Sequence, residues 1–124
     1  MHQQHNAPAA SLAGAASFVR LALHRLGSDT EGEIDARYTL AFAVDIVRCL
    51  FNASKAQSAW SADEVAELLD EMNSAGALLR VVRAALPGAS EVCDDVRHAL
   101  ACASIALDAA FDALDGAATA GCLG

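Results

Sequence analysis

The chain has 124 residues, of which 55% are hydrophobic but only 5% aromatic, and it contains two prolines. This length supports one domain with its own core, and the shortage of proline together with abundant alanine favours an all-α fold. A formal net charge of −8 and a pI of about 4.7 disfavour nucleic acids and anionic membrane surfaces as partners.

The first predicted element follows a short polar segment. Residues 1–9 show no apolar periodicity, so we expect a flexible N-terminal tail. The first helix is predicted over about 10–26, because its apolar residues recur in steps of three and four. Gly27 follows the last apolar residue, where glycine typically forms a left-handed C-terminal cap.

The second helix is predicted over about 31–53 and begins at a capping box, in which Thr30 and Glu33 stand three residues apart. Apolar residues cover two flanks of this helix: Leu40, Val44, Val47 and Phe51 on one, and Tyr38, Phe42, Ile46 and Cys49 on the other. A helix that is apolar over most of its circumference is typically buried on several sides or carries an oligomer interface.

The third helix is predicted over about 62–86 and has the clearest start signal in the chain. Ser61 and Glu64 have the spacing of a capping box, and Trp60 stands where a hydrophobic staple places its apolar residue. Pro87 cannot continue a helix, so it sets the predicted C-terminal end.

The fourth helix is predicted over about 91–115, with Ser90 as its N-terminal cap and Gly116 as its stop. Residues 116–124 are expected to form a flexible C-terminal tail.

These elements predict one helical bundle domain over residues 10–115. The helices are long, and the connections between them are only a few residues long, which favours antiparallel neighbours. We therefore predict an up-down-up-down antiparallel four-helix bundle. No internal repeat of solenoid type is visible in the sequence.

Three aspartates share one face near the end of the predicted fourth helix: Asp108, Asp112 and Asp115. Negative charge is unfavourable at the C-terminal end of a helix, and Asp108 and Asp112 repel each other at a spacing of four. Local stability therefore does not account for these residues, and one hypothesis is that they dock a basic partner or peptide. The interpretation that we favour is a solvated face that promotes solubility.

His98 and Cys102 are the metal candidates that the sequence offers, since they lie one turn apart on the predicted fourth helix. Two ligands do not make a site, and a di-metal bundle needs Glu-x-x-His motifs on two separate helices. No nucleophile motif, phosphate-binding glycine loop or His-Glu-x-x-His motif occurs. We expect no metal, no cofactor and no enzymatic activity.

The cysteines and the amino-acid usage bear on location. Cys49, Cys93, Cys102 and Cys122 form no Cys-x-x-Cys pair, and no secretory signal or membrane-spanning run is visible. We expect reduced thiols in a cytoplasmic protein. The preference for arginine over lysine and the abundance of alanine are typical of GC-rich coding, as in many bacteria.

The absence of a reactive motif and the apolar excess on the second helix together favour a non-enzymatic helical interaction module. Its partner would be another protein or a second copy of the chain in a homodimer. The alternative is a bundle that binds a small ligand or a metal between its helices.

Overall fold

The computed structural model describes residues 3–56, 61–86 and 90–123, with side chains described over 9–55, 61–86 and 90–116. It contains four helices: α1 (Gln3–Arg25), α2 (Glu31–Ala56), α3 (Ala62–Ala85) and α4 (Glu91–Leu123). No strand occurs in these described ranges. The predicted all-α four-helix bundle is confirmed.

The helices pack in a ring. α1 contacts α2 and α4, and α3 contacts the same two helices, whereas no contact crosses the α1–α3 or α2–α4 diagonal within the described ranges. The α1–α4 interface is the largest. An ion pair between Arg25 and Asp95 places the end of α1 beside the start of α4. The up-down-up-down order requires this relation between the first and fourth helices.

The core lies on the axis of the ring and is made of small aliphatic side chains. Each helix contributes a fully buried leucine: Leu12, Leu40, Leu79 and Leu100. Burying one such side chain contributes about 1.5–3 kcal/mol. Buried alanines at the helix contacts let the backbones approach closely, so few aromatic residues are needed to fill the core.

The predicted N-terminal caps form. Ser61 accepts a hydrogen bond from the Glu64 backbone N–H at 3.2 Å, and the Glu64 carboxylate accepts one from the Ser61 N–H at 3.0 Å. Ser90 caps α4 by accepting from the Cys93 N–H at 3.0 Å. Thr30 caps α2 by accepting from the Glu33 N–H at 3.1 Å, and its hydroxyl donates to the Glu33 carboxylate at 3.1 Å. The predicted staple at Trp60 and the break at Pro87 lie outside the described residues.

The predicted left-handed cap at Gly27 is wrong, since Gly27 has no positive φ. α1 ends at Arg25. The guanidinium of Arg37 donates to the carbonyl oxygen of Leu26 at 2.9 Å and to that of Leu23 at 3.4 Å. An arginine of the next helix therefore satisfies the last carbonyls of α1, and no left-handed turn is required to do so.

Three helices extend beyond their predicted ends, α2 by three residues to Ala56. α1 begins at Gln3 instead of near residue 10, and α4 passes through Gly116 and ends at Leu123. Apolar periodicity underestimates such helices, because a helical backbone needs adequate propensity but no apolar stripe. Gly116 has no positive φ and continues the helix, in a segment otherwise rich in alanine. The expected flexibility of the two end segments stays a prediction.

The structure shows an internal repeat that the apolar periodicity of the single helices does not show. Arg37 of α2 bonds the carbonyl oxygen of Leu26, and Arg97 of α4 bonds that of Leu86, each across 11 residues. We call α1–α2 the first hairpin and α3–α4 the second hairpin. Each position of the first hairpin corresponds to the position 60 residues later in the second.

Burial follows the same correspondence. The paired buried positions are Leu12 and Met72, Ala15 and Ala75, Val19 and Leu79, Ala22 and Val82, Leu40 and Leu100, Ala43 and Ala103, and Val47 and Leu107. The two hairpins therefore use one packing pattern twice. Where two paired positions carry different types of residue, the packing that the two hairpins share does not explain the difference.

Candidate functional site

Three large apolar side chains on α2 remain exposed in the folded chain. Ile34, Tyr38 and Phe42 are 38%, 75% and 57% exposed. Their spacing of four residues aligns them along the outer side of one helix, over about 12 Å. We call these three residues the α2 apolar face. Other exposed apolar side chains, such as Leu21 and Ile105, are separate from this strip and lie on other helices.

A cavity of about 440 Å³ lies beside the α2 apolar face, between the end of α1 and the start of α2. Leu23, Ile34, Tyr38 and Ala41 give it an apolar lining. A strip with an adjoining apolar hollow is suited to receive a helix, one of whose side chains enters the hollow.

The second hairpin shows that the fold does not need this apolar strip. The positions that correspond to Ile34, Tyr38 and Phe42 are Asp94, His98 and Cys102. At these three positions α4 therefore carries a charged residue, a histidine and a small thiol where α2 carries large apolar side chains, although the buried sides of the two helices match. Packing within the bundle does not account for the α2 apolar face.

Acidic groups surround this face. Glu31, Asp35 and Asp45 are exposed on α2, and Arg37, whose guanidinium bonds carbonyl oxygens of α1, keeps one positive charge beside them. Arg48 is the exposed cation nearest to the C-terminal end of the strip along the sequence. The surroundings of the strip are therefore mainly negative, and they favour a partner that carries positive charge.

A second cavity, of about 510 Å³, lies between α3 and α4. We call it the α3–α4 groove. Arg80 and Arg83 line it from α3, and Asp108 and Asp112 line it from α4. No ion pair joins these arginines to these aspartates within the described residues. Three apolar side chains complete the lining: Met72, Leu107 and Phe111.

Ser104 also lines the α3–α4 groove. Its Oγ is buried and, among the described residues, has no hydrogen-bond partner. The corresponding residue of the first hairpin is the buried Val44, and Gly76 of the groove corresponds to Ala16. The groove thus arises where the second hairpin replaces aliphatic packing with a smaller or more polar residue. A buried hydroxyl without a partner costs about 1–3 kcal/mol.

The predicted docking aspartates lie in two settings. Asp108 and Asp112 line the α3–α4 groove opposite two arginines, while Asp115 is exposed and makes an interaction of its own. Asp108 and Asp112 face these arginines without forming an ion pair within the described residues, an arrangement that depends on the packing of α3 against α4. Docking of a basic partner on the three aspartates stays a prediction.

The predicted metal candidates come together only as a pair. Cys102 Sγ lies 3.9 Å from His98 Nε2. Within the described ranges no group of three or more His, Cys, Asp or Glu side chains is arranged to hold a metal ion. Cys49, Cys93 and Cys102 are free thiols, and the side chain of Cys122 lies outside the described residues.

Comparisons with known proteins do not identify a function for this chain. No protein-family model, curated protein or solved structure matches this chain. In the part of the chain that the structure describes, no helix is both long enough and apolar enough to cross a bilayer.

Sequence reasoning identified part of each site. It placed Tyr38 and Phe42 on one flank of the second helix, and Asp108 and Asp112 on one face of the fourth. Sequence reasoning missed the groove between α3 and α4, because which side chains face each other across two helices depends on how the helices pack. The signal that could have found Ser104 is the 60-residue correspondence, which shows a hydroxyl at an aliphatic position.

Proposed function

We propose that this protein is a non-enzymatic helical interaction module that binds an amphipathic helix of a partner protein on the α2 apolar face. The observation that carries the proposal is the exposed strip of Ile34, Tyr38 and Phe42, whose counterparts in the second hairpin are polar. The proposal includes no catalytic step, and the free thiols fit a reducing compartment such as the cytoplasm.

The chemistry of the partner follows from the charges around the strip. Removing the apolar face from water drives association. Glu31, Asp35 and Asp45 attract a helix whose apolar stripe is flanked by lysine or arginine. A second copy of this chain carries the same net charge of −8, so electrostatics disfavours self-association.

The first test uses two synthetic amphipathic helices with one apolar face, a leucine–lysine peptide and a leucine–glutamate peptide. Fluorescence anisotropy measures the affinity of each labelled peptide. We expect the lysine peptide to bind at least about tenfold more tightly, a difference of about 1.4 kcal/mol. Equal affinities would remove the electrostatic part of the proposal.

The second test locates the binding face. The double variant Tyr38→Glu with Phe42→Glu should lose the lysine peptide, while Val81→Glu and Ile105→Glu, at exposed apolar positions of α3 and α4, should retain it. Circular dichroism checks that each variant is folded. Equal losses in the variants and controls would contradict the assignment to α2.

Light scattering at micromolar protein concentration distinguishes a partner helix from a second copy of this chain as the molecule that covers the α2 apolar face. We expect a monomer for the wild-type chain. A dimer that the Tyr38→Glu and Phe42→Glu variant dissociates would replace the basic helix with a second copy of this chain as the occupant of the face.

A further inference from the structure

We infer that the α3–α4 groove binds a small zwitterion with an apolar body, of the class that includes apolar amino acids and short peptides. The inference is independent of the proposed docking on α2. It rests on the cavity of about 510 Å³ and on the charges of opposite sign in its walls, which form no ion pair with each other within the described residues.

The two walls offer complementary charges. Arg80 and Arg83 supply guanidinium donors suited to a carboxylate, and Asp108 and Asp112 supply acceptors suited to an ammonium group. Because none of these arginines pairs with these aspartates within the described residues, both sets of groups are open to a ligand. A ligand with both a carboxylate and an ammonium group can therefore bind the arginines of one wall and the aspartates of the other.

Arg80 is already turned along the groove. Its Nη1 lies 3.5 Å from the point where a Cβ on Gly76 would stand, so the guanidinium reaches back over Gly76, one turn earlier on α3. Arg97 of α4 bonds the Leu86 carbonyl at the turn of the second hairpin. Counting back along α3 from Leu86 and forward along α4 from Arg97 places Gly76 near the level of Asp108. The Arg80 guanidinium and the Asp108 carboxylate therefore face one region of the groove from opposite helices.

The remaining lining selects the body of the ligand. Met72 and Leu107 are each only 3% exposed, so the partly exposed Phe111 supplies most of the apolar surface that an aliphatic or aromatic part of the ligand can contact. Ser104 and Gly76 also line the groove, and the Ser104 hydroxyl is buried with no partner in the described structure. In the first hairpin the same positions carry Val44 and Ala16, so the groove is a departure from the shared packing.

The wild-type protein and four related peptides test the inference directly. The probes are leucyl-leucine, its N-acetyl form, its C-terminal amide and the doubly capped form, which remove the ammonium charge, the carboxylate charge or both. Isothermal titration calorimetry measures each affinity, and the amide NMR signal of Gly76 reports occupancy of the groove. We expect binding of leucyl-leucine and at least a tenfold loss on capping either end.

Two variants then assign the charges. Arg80→Met should weaken leucyl-leucine at least tenfold but leave the affinity of the C-terminal amide unchanged, since the amide has no carboxylate. Asp108→Asn should weaken leucyl-leucine and spare the N-acetyl form. Arg20→Met, at the corresponding position of the first hairpin, and Asp70→Asn, on the exposed side of α3, are the matched controls and should retain wild-type affinity.

Three results would overturn the inference. They are no binding of leucyl-leucine at millimolar concentration, equal binding of the doubly capped peptide, and binding that leaves the Gly76 signal unmoved. The peptide series on the wild-type chain decides the question even if a groove variant fails to fold.

Discussion

Arg37 Nη1 donates a hydrogen bond to the carbonyl oxygen of Leu26 across 2.9 Å, so that α2 caps the end of α1. Arg97 does the same for Leu86 at the turn between α3 and α4. The last carbonyls of a helix have no partner within that helix, and a charged donor is a strong one. One arginine per hairpin therefore ties together two helices that are adjacent in sequence.

Replacement of Arg37 by methionine should lower the free energy of unfolding by about 1–2 kcal/mol, because a partly buried carbonyl loses a charged donor. Urea denaturation measures this. Arg20→Met is the control, since Arg20 is exposed on α1 and makes no such bond within the described residues. Equal effects of the two substitutions would show that Arg37 does not act as a cap.

Leu40→Ala and Leu100→Ala should each destabilise the bundle by about 2–5 kcal/mol, since both leucines are fully buried and each substitution leaves a cavity. Because the two positions correspond in the repeat, their losses should be similar. Thermal denaturation followed by circular dichroism measures both. Leu21→Ala, at a position that is more than half exposed, is the control and should cost well under about 1 kcal/mol. A small loss at Leu40 alone would contradict the equivalence of the hairpins.

Ser104→Ala should raise the free energy of unfolding by about 1 kcal/mol, because it removes a buried hydroxyl that has no partner among the described residues. Ser74→Ala is the matched control on α3, where the hydroxyl donates to the Asp70 carbonyl at 3.1 Å and is exposed. That substitution should change stability by less than about 0.5 kcal/mol. Chemical denaturation compares the two, and destabilisation by Ser104→Ala would show that the hydroxyl is satisfied in solution.

Gly76→Ala should stabilise α3 by about 0.5–1 kcal/mol through helix propensity, since the added Cβ makes an ordinary contact with Arg80 at 3.5 Å. Gly14→Ala on α1 should give a similar gain, because nothing lies within 4 Å of its Cβ. Only the Gly76 variant should weaken leucyl-leucine, which calorimetry measures. Equal affinities in the two variants would place the ligand away from Gly76.

Ser61→Ala should destabilise the protein by about 1 kcal/mol, because both hydrogen bonds of the capping box with Glu64 depend on the geometry of the serine cap. Urea denaturation measures the change. Ser17→Ala, at an exposed interior position of α1, should instead be neutral or slightly stabilising. A neutral Ser61 variant would mean that solvent caps α3 equally well.

Local interactions made most of the fold predictable. The caps at Thr30, Ser61 and Ser90 lie within three residues of the N–H groups that they bind, so their patterns are legible in the sequence. Five of the predicted helix starts or ends differ by no more than one residue from those observed, at the end of α1, the start of α2, both ends of α3 and the start of α4. The two outer ends, at Gln3 and Leu123, were placed too far inward because apolar periodicity fades there.

The sequence by itself determined four helices, their caps and the stripes that they bury, since each depends on residues within one or two turns. Only the tertiary structure decided that Tyr38 and Phe42 face outward on α2, and that Asp108 and Asp112 stand opposite Arg80 and Arg83. A helix with two apolar flanks can bury either one, and charges on separate helices meet only through packing. Which flank is buried and which charges face each other therefore depends on how all four helices pack around one core.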